Sequence, residues 1–309
     1  MRFFAKTFLV DSYPSGLRFV APWEEGCWVE DRTRPAGDQI EVEWAMTQAL
    51  RELAGPQEVP RLLGKSDSAR TIVWEQASGR RLDQLVKWSR WADPSGTSLA
   101  RAFLQAGRWL RKVHQTGFQR RAWLSSPEIV RSVQQAIDQR GLRNSRYGTI
   151  ASRIVADAVS ATGEAQVEVP IVFAHGDFCP ANLLWDGLRQ ELRVIDFEHA
   201  GYRSISHDLI TFLYNLRLHM LNPLVPKSVV VRAEQAFWQG YDPVPRTLRL
   251  IVSGVATARI FCYYLPRVAR HRRGQGWERS LTARLFNRFF EANVVTQRLG
   301  IPRAVWNPS

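Results

Sequence analysis

One apolar stripe dominates the pattern of the chain. Leu99, Ala102, Phe103, Ala106, Leu110 and Val113 recur every three or four residues, the spacing of one helix face, and Gly117 ends the run. Met46, Ala49, Leu50 and Leu53 repeat that spacing within residues 40–54, which Gly55-Pro56 stops, and residues 129–137 predict another helix. The first 40 residues follow a different rhythm: FFAKTFLV, LRFVAPW and CWVED, divided by YPSG and EEG, predict three short strands. Residues 60–64 read as a short link, and residues 70–76 (RTIVWEQ) as a β-branched strand broken by Ala77-Ser78-Gly79. Residues 169–174 and 192–197 predict two short strands on either side of a polar loop. At least three more helices are expected over 208–299, with breaks near 223–226, 241–245 and 274–276. The fold class is therefore α+β. A β-rich N-terminal lobe with one helix is expected over residues 1–76, and a mostly helical C-terminal lobe carrying the polar loop over residues 77–309.

Composition narrows this picture. A chain of 309 residues can bury the cores of two lobes, and 45% hydrophobic with 23% charged residues excludes a disordered or collagen-like protein. The three cysteines, Cys27, Cys179 and Cys262, form no C-x-x-C pair, which excludes a disulfide framework and fits a reducing compartment. The longest apolar candidate, 251–265, is too short for a bilayer span and is cut by Arg259. The opening MRFFAKTFLVD reaches Asp11 too early for the apolar core of a signal peptide, so a cytoplasmic protein is expected. Lys plus Arg is 42 against 29 Asp plus Glu, a net charge of +13, which points to nucleic acid, an anionic membrane surface or a phosphorylated ligand. No helix-turn-helix, zinc-finger or RNA-binding sheet motif supports nucleic acid as the partner.

The candidate chemistry lies in VFAHGDFCPANLL. It holds His175 and Asp177, with Asn182 five positions after Asp177, and Asp196 follows 19 positions beyond Asp177 at the end of a strand. Alone, His-Gly-Asp is a common turn and an Asp after a strand is a common cap. In this order and spacing they form the H-x-D-x-x-x-x-N and strand-terminal Asp constellation of phosphoryl transfer. A hydroxyl nucleophile needs a carboxylate to orient it and take its proton. A nucleotide triphosphate needs Mg²⁺, which prefers a few hard oxygen ligands completed by water.

VFAHGDFCPANLLWDG and LRVIDFEHAGYRSISHDLITFLY resemble the core of the aminoglycoside phosphotransferase and choline kinase superfamily, whose members have a two-lobed, protein-kinase-like fold. IDFEHAGY is especially similar to the choline and ethanolamine kinase branch and to homoserine-kinase-like members, and the resemblance covers roughly residues 40–220. It implies ATP and Mg²⁺ as cofactors and Asp177 as catalytic base, with His175 as the second catalytic candidate, buttressing the loop rather than reacting. It implies Asn182 and Asp196 as Mg²⁺ ligands, Glu198 as a further acidic group near the metal, and Asp208 of SHDL as the anchor beneath the loop. EWAMTQALREL resembles the helix whose Glu pairs with the phosphate-binding Lys; Glu43 is the match and Glu41 its rival. IVWEQASGRRL resembles the hinge that frames the adenine, with Glu75, Gln76 and Ala77 offering backbone groups to the base.

FFAKTF resembles the strand that bears the phosphate-binding Lys, making Lys6 the candidate, yet only five residues precede it. A reduced or rearranged β lobe, a start site further upstream, and a different phosphate contact with Lys6 a mere exposed Lys remain open. Eleven residues separate Asp196 from Asp208, too few for a segment that docks a protein substrate, so the acceptor is expected to be a small-molecule hydroxyl compound. The charge argues against a polycationic aminoglycoside. An aromatic box of Trp238, Tyr263 and Tyr264 would suit choline, although helix packing is the commoner use of such residues. A sugar, an amino alcohol or a saccharide on a lipid fits better. The basic cluster Arg267, Arg270, His271, Arg272 and Arg273, before a helix with Leu281, Leu285, Phe289 and Phe290, raises peripheral contact with an anionic membrane at its inner face; a core helix with a solvated side is the favoured reading. The competing class is a nucleotide-binding pseudokinase or regulatory module without transfer activity.

Overall fold

The computed structural model describes residues 3–7, 36–66, 71–92, 96–222 and 224–266. The strands expected from LRFVAPW and CWVED, Cys27, the basic cluster from Arg267 and the break at 274–276 lie outside the described residues.

Strand β1 (Phe3–Thr7) is followed by helix α1 (Ala36–Ala54), which starts four residues before the expected helix and ends where Gly55 takes φ +115°. Residues expected to form a link are instead strand β2 (Leu62–Ser66), which pairs antiparallel with β3 (Thr71–Glu75) through an irregularity at Leu62/Gly64. The pairing with the strand that follows overrides the weak strand propensity of Gly64. The order is β1-β3-β2, and on β3 the side chains of Ile72 and Trp74 turn to one face, where Trp44 and Leu62 pack on them.

Past residues 76–79 come β4 (Arg80–Arg81), α2 (Leu82–Ala92), α3 (Thr97–Thr116), β5 (Phe118–Arg120) and β6 (Trp123–Ser125). Helix α4 (Ser126–Gln139) begins with a capping box, in which the Ser125 side chain and Glu128 satisfy each other's backbone amides. Then follow α5 (Arg146–Ser160), β7 (Gln166–Glu168), β8 (Ile171–Ala174), a 3₁₀ turn (Pro180–Asn182), β9 (Leu183–Asp186), β10 (Glu191–Val194), β11 (Gly201–Ser204) and α6 (Ile205–Leu218). After a 3₁₀ turn (His219–Leu221), α7 (Lys227–Tyr241) and α8 (Arg246–Arg259) close the described chain, α8 loosening into a π turn (Ile260–Tyr264). The result is an α+β, two-lobed arrangement with a small antiparallel sheet ahead of a mostly helical body.

Helix α3 is the spine of that body. Leu99, Ala102, Phe103, Ala106, Leu110 and Val113 are buried as the stripe predicts, with Trp109 and His114 on the same face. It crosses α7 backbone to backbone. A Cβ on Gly107 would stand 2.1 Å from the Phe237 carbonyl oxygen, and one on Gly240 would stand 2.0 Å from that of Leu104, so neither position admits a side chain at this spacing. Among the described residues no helix is long and apolar enough to cross a membrane.

Candidate active site

Strand β8 runs fully buried into the loop, and its last residue hands over to His175-Gly176-Asp177. Gly176 makes that turn possible. Its φ is +85°, and a Cβ there would stand 1.9 Å from the carbonyl oxygen of His199. The amides of His175 and Gly176 donate to Asp208 Oδ2 and Oδ1 at 2.8 and 2.9 Å, so one carboxylate on α6 grips the loop from below. Asp208 is itself fully buried and accepts from His114 Nε2 at 3.1 Å; His114 Nδ1 in turn meets the Tyr241 hydroxyl at 2.7 Å. Burial pushes the Asp208 carboxyl up, but the hydrogen bond and charge of His114, with His175 and His207 nearby, hold it well below the usual carboxylate range.

His175 is sealed in the interior. The amide of Asp177 donates to its Nδ1 at 3.3 Å, which leaves Nε2–H to donate to the Ile195 carbonyl at 3.1 Å. Trp109, Phe178 and Phe197 surround the ring. With both nitrogens spent on backbone, His175 splices the loop to the strand before Asp196. His207 performs a parallel task from α6, where Nε2–H donates to the Gly176 carbonyl at 2.8 Å.

Asp177 is half-buried, and its neighbour Asn182 donates from Nδ2 to the Asp177 carbonyl at 3.0 Å and to Oδ2 at 3.1 Å. Among the described residues Oδ1 of Asp177 accepts no hydrogen bond. Burial raises the Asp177 carboxyl above its ordinary value, and the Asp196 carboxylate adds to that. Because Asn182 spends its Nδ2 on Asp177, Oδ1 is the side-chain atom it keeps as an acceptor. The Ile195 amide donates to the Asn182 carbonyl at 3.0 Å, and this bond is why the strand expected over 192–197 stops at Val194. The next residue, Asp196, takes the left-handed conformation with φ +72°. Glu198 accepts from His199 Nε2 at 3.2 Å, and that bond raises the His199 pKa. Cys179 is no nucleophile here, since burial pushes its thiol up to about 12.

The upstream candidates are partly gathered. Glu43 is buried on α1, whereas Glu41 is exposed and ion-pairs with Lys65 of β2. Lys6 lies on β1 at the register position opposite Ile72. The Glu75 amide is taken by the Arg61 carbonyl at 2.8 Å, while Gln76 and Ala77 form an irregular connection. Of the aromatic trio, Trp238 is buried against Phe237 and Tyr241 with Arg249 over its ring at 4.8 Å, and Tyr263 carries Arg140 at 3.5 Å. Packing, not a vacant box, describes these two. Sequence reasoning missed His114 and Tyr241 behind Asp208. The only signal was a histidine continuing the apolar face of α3.

A profile of the phosphotransferase enzyme family matches residues 18–251. Ethanolamine kinase 2 from Homo sapiens is 38% identical over 45 residues, a stretch that is 15% of this chain and 12% of that protein. Among solved structures, a glucosamine kinase in complex with glucosamine, ADP and inorganic phosphate is similar with a TM-score of 0.49 at 15% identity, over 72% of this chain and 64% of that one. An aminoglycoside phosphotransferase from Alicyclobacillus acidocaldarius gives a TM-score of 0.47 at 15% identity, over 86% and 83% of the two chains. The shared length is thus a small part of the first of these proteins and under two thirds of the second.

Proposed function

The chain belongs to the phosphotransferase enzyme family, and from that premise we propose that it is an ATP- and Mg²⁺-dependent kinase acting on a hydroxyl of a small molecule. The observation that supports this reading is the clamp of Asn182 on Asp177 together with the Ile195–Asn182 backbone bond, which ties the loop to the residue before Asp196, 14 positions beyond Asn182 (196 − 182).

In this reading Asp177 is the base. Its Oδ2 is fixed by Asn182, and Oδ1 is left for the acceptor hydroxyl. Its raised pKa makes it a better proton acceptor than an ordinary carboxylate. As the hydroxyl oxygen bonds to the γ-phosphorus, its proton passes to Asp177, the bond from that phosphorus to the β–γ bridging oxygen breaks, and ADP leaves. The hard oxygens of Asn182 Oδ1 and Asp196, beside the acidic Glu198, fit a Mg²⁺ ion, which when bound screens the phosphate charge. Lys6 is the candidate for the nucleotide phosphates and Glu43 the candidate acid to pair with it, and Glu75, Gln76 and Ala77 frame the base at the junction of lobes 1–76 and 77–309. His175 positions the loop.

A thermal-shift titration with ATP, with and without Mg²⁺, on wild type and Asp196→Ala tests the reading. Stabilisation that needs Mg²⁺ and is lost in the variant supports it. Equal stabilisation of both proteins removes Asp196 from the site. Nucleotide binding with no transfer to any of a panel of hydroxyl compounds favours a pseudokinase.

A further inference from the structure

Arg259 ends α8 half-buried and without an acidic partner among the described residues. Its hydrogen bond from Nη1 to Thr211 Oγ1 is long, at 3.5 Å. Around it stand hydroxyls and another cation. Tyr214 lies three residues beyond Thr211 on α6, and Tyr263 lies one turn beyond Arg259 in the π turn, beside Tyr264. The guanidinium of Arg140 covers the ring of Tyr263 at 3.5 Å and likewise forms no ion pair among the described residues. Burial lowers the pKa of Arg259, and the groups acting on it are tyrosines, Cys262 and Arg140, not carboxylates.

A cation withdrawn from water without a counter-charge is costly, and folded proteins pair such groups. Among the described residues no carboxylate ion-pairs with either guanidinium, while the supply of donors is large: two planar guanidinium forks and three phenols. That set matches a multi-oxygen anion. It also repels a cationic acceptor. The place is close to the reacting loop. Thr211 is four residues, about 6 Å of helix rise, from His207, which holds the Gly176 carbonyl.

We propose that Arg259 and Arg140, with the hydroxyls of Tyr214, Tyr263 and Tyr264, bind an oxyanion, the carboxylate or phosphate of an acceptor whose hydroxyl faces Asp177. The acceptor half of this statement rests on the kinase reading; the anion site does not.

The first test needs no turnover. Inorganic phosphate and acetate are titrated separately into wild type, Arg259→Gln and Arg140→Gln at matched ionic strength without nucleotide, and melting is followed. One of the two anions should stabilise wild type, about tenfold higher concentrations should be needed in either variant, and Arg259→Gln without anion should melt no lower than wild type. Equal responses in all three proteins, or an Arg259→Gln protein that melts well below wild type, would overturn the proposal. The second test supplies ATP, Mg²⁺ and paired acceptors, glycerate with glycerol and glucuronate with glucose. An anionic member should be preferred, with a KM about tenfold higher in Arg259→Gln and an unchanged kcat. Anion binding through Arg259 with no transfer to any acceptor leaves the site standing and removes the kinase reading. Transfer that favours neutral acceptors and ignores Arg259 removes the site's role.

Discussion

The amide of His175 and the imidazole of His114 converge on one oxygen of Asp208, at 2.8 and 3.1 Å. The loop that carries Asp177 is therefore fastened to helix α3 through a carboxylate that never meets solvent. Stability and chemistry are joined at that point.

Asp208→Asn replaces an acceptor of two amides and an imidazole by a group that also donates. It should destabilise the fold by about 3–5 kcal/mol, the usual cost of breaking a buried charged network, read by urea denaturation. The folded pKa of Asp208 lies below its unfolded value. Its contribution is thus complete above about pH 4 and is lost as pH falls further. Below that pH the variant and wild type should converge in stability.

One buried and one half-buried imidazole add a second pH window. Burial, aided by the charges of Arg203 and Arg259, lowers His207 to about 4, and burial, aided by Lys87, lowers His219 to about 4. The unfolded chain takes up these protons near pH 6.5 and the folded chain only near 4. Stability should therefore fall as pH drops from 6.5 toward 4, by up to about 1.4 kcal/mol per unit per group. His207→Gln, which keeps a donor for Gly176, should flatten the slope; an unaltered slope would assign it elsewhere.

Asp177→Asn should lower turnover by about 10²–10⁴-fold and leave Mg²⁺-dependent nucleotide stabilisation in place. Because burial raises the Asp177 pKa, the acidic limb of kcat in wild type should lie above the range of an exposed aspartate. Turnover within twofold of wild type would sink the base assignment.

Gly240→Ala sets a methyl against the Leu104 carbonyl, where a Cβ has only 2.0 Å. Forcing α3 and α7 apart should cost roughly 1–3 kcal/mol. Since His114 on α3 and Tyr241 on α7 bond across that crossing, the variant should also lower kcat while nucleotide binding persists.

What the sequence spells out is local chemistry. His175, Asp177, Asn182 and Asp196 sit in one short stretch, and a β8-to-loop turn brings the first three together with little help from the rest of the chain. The α3 stripe and the breaks after α6 and α7 were equally legible, because helix periodicity and Pro-rich stops are properties of neighbouring residues. The groups behind Asp208 are not: His114 is 94 residues from it, Tyr241, which bonds His114, is 127 residues from that histidine, and only packing chooses them. Strand β2 was hidden for a related reason, since LLGKS becomes a strand only because β3 lies beside it. Arg259 stands in the sequence as a charge interrupting an apolar run, and that no acid among the described residues pairs with it is visible only in three dimensions.

Asp196 carries a last consequence. A left-handed backbone costs most side chains about 1–2 kcal/mol, and Gly, Asn and Asp bear it best. Asn and Gly are each one base change from Asp. A gene copy freed from selection for catalysis could exchange the carboxylate for either without disturbing the turn. Such descendants would keep the turn and the fold around it, and only Mg²⁺-dependent nucleotide binding and turnover would reveal the loss.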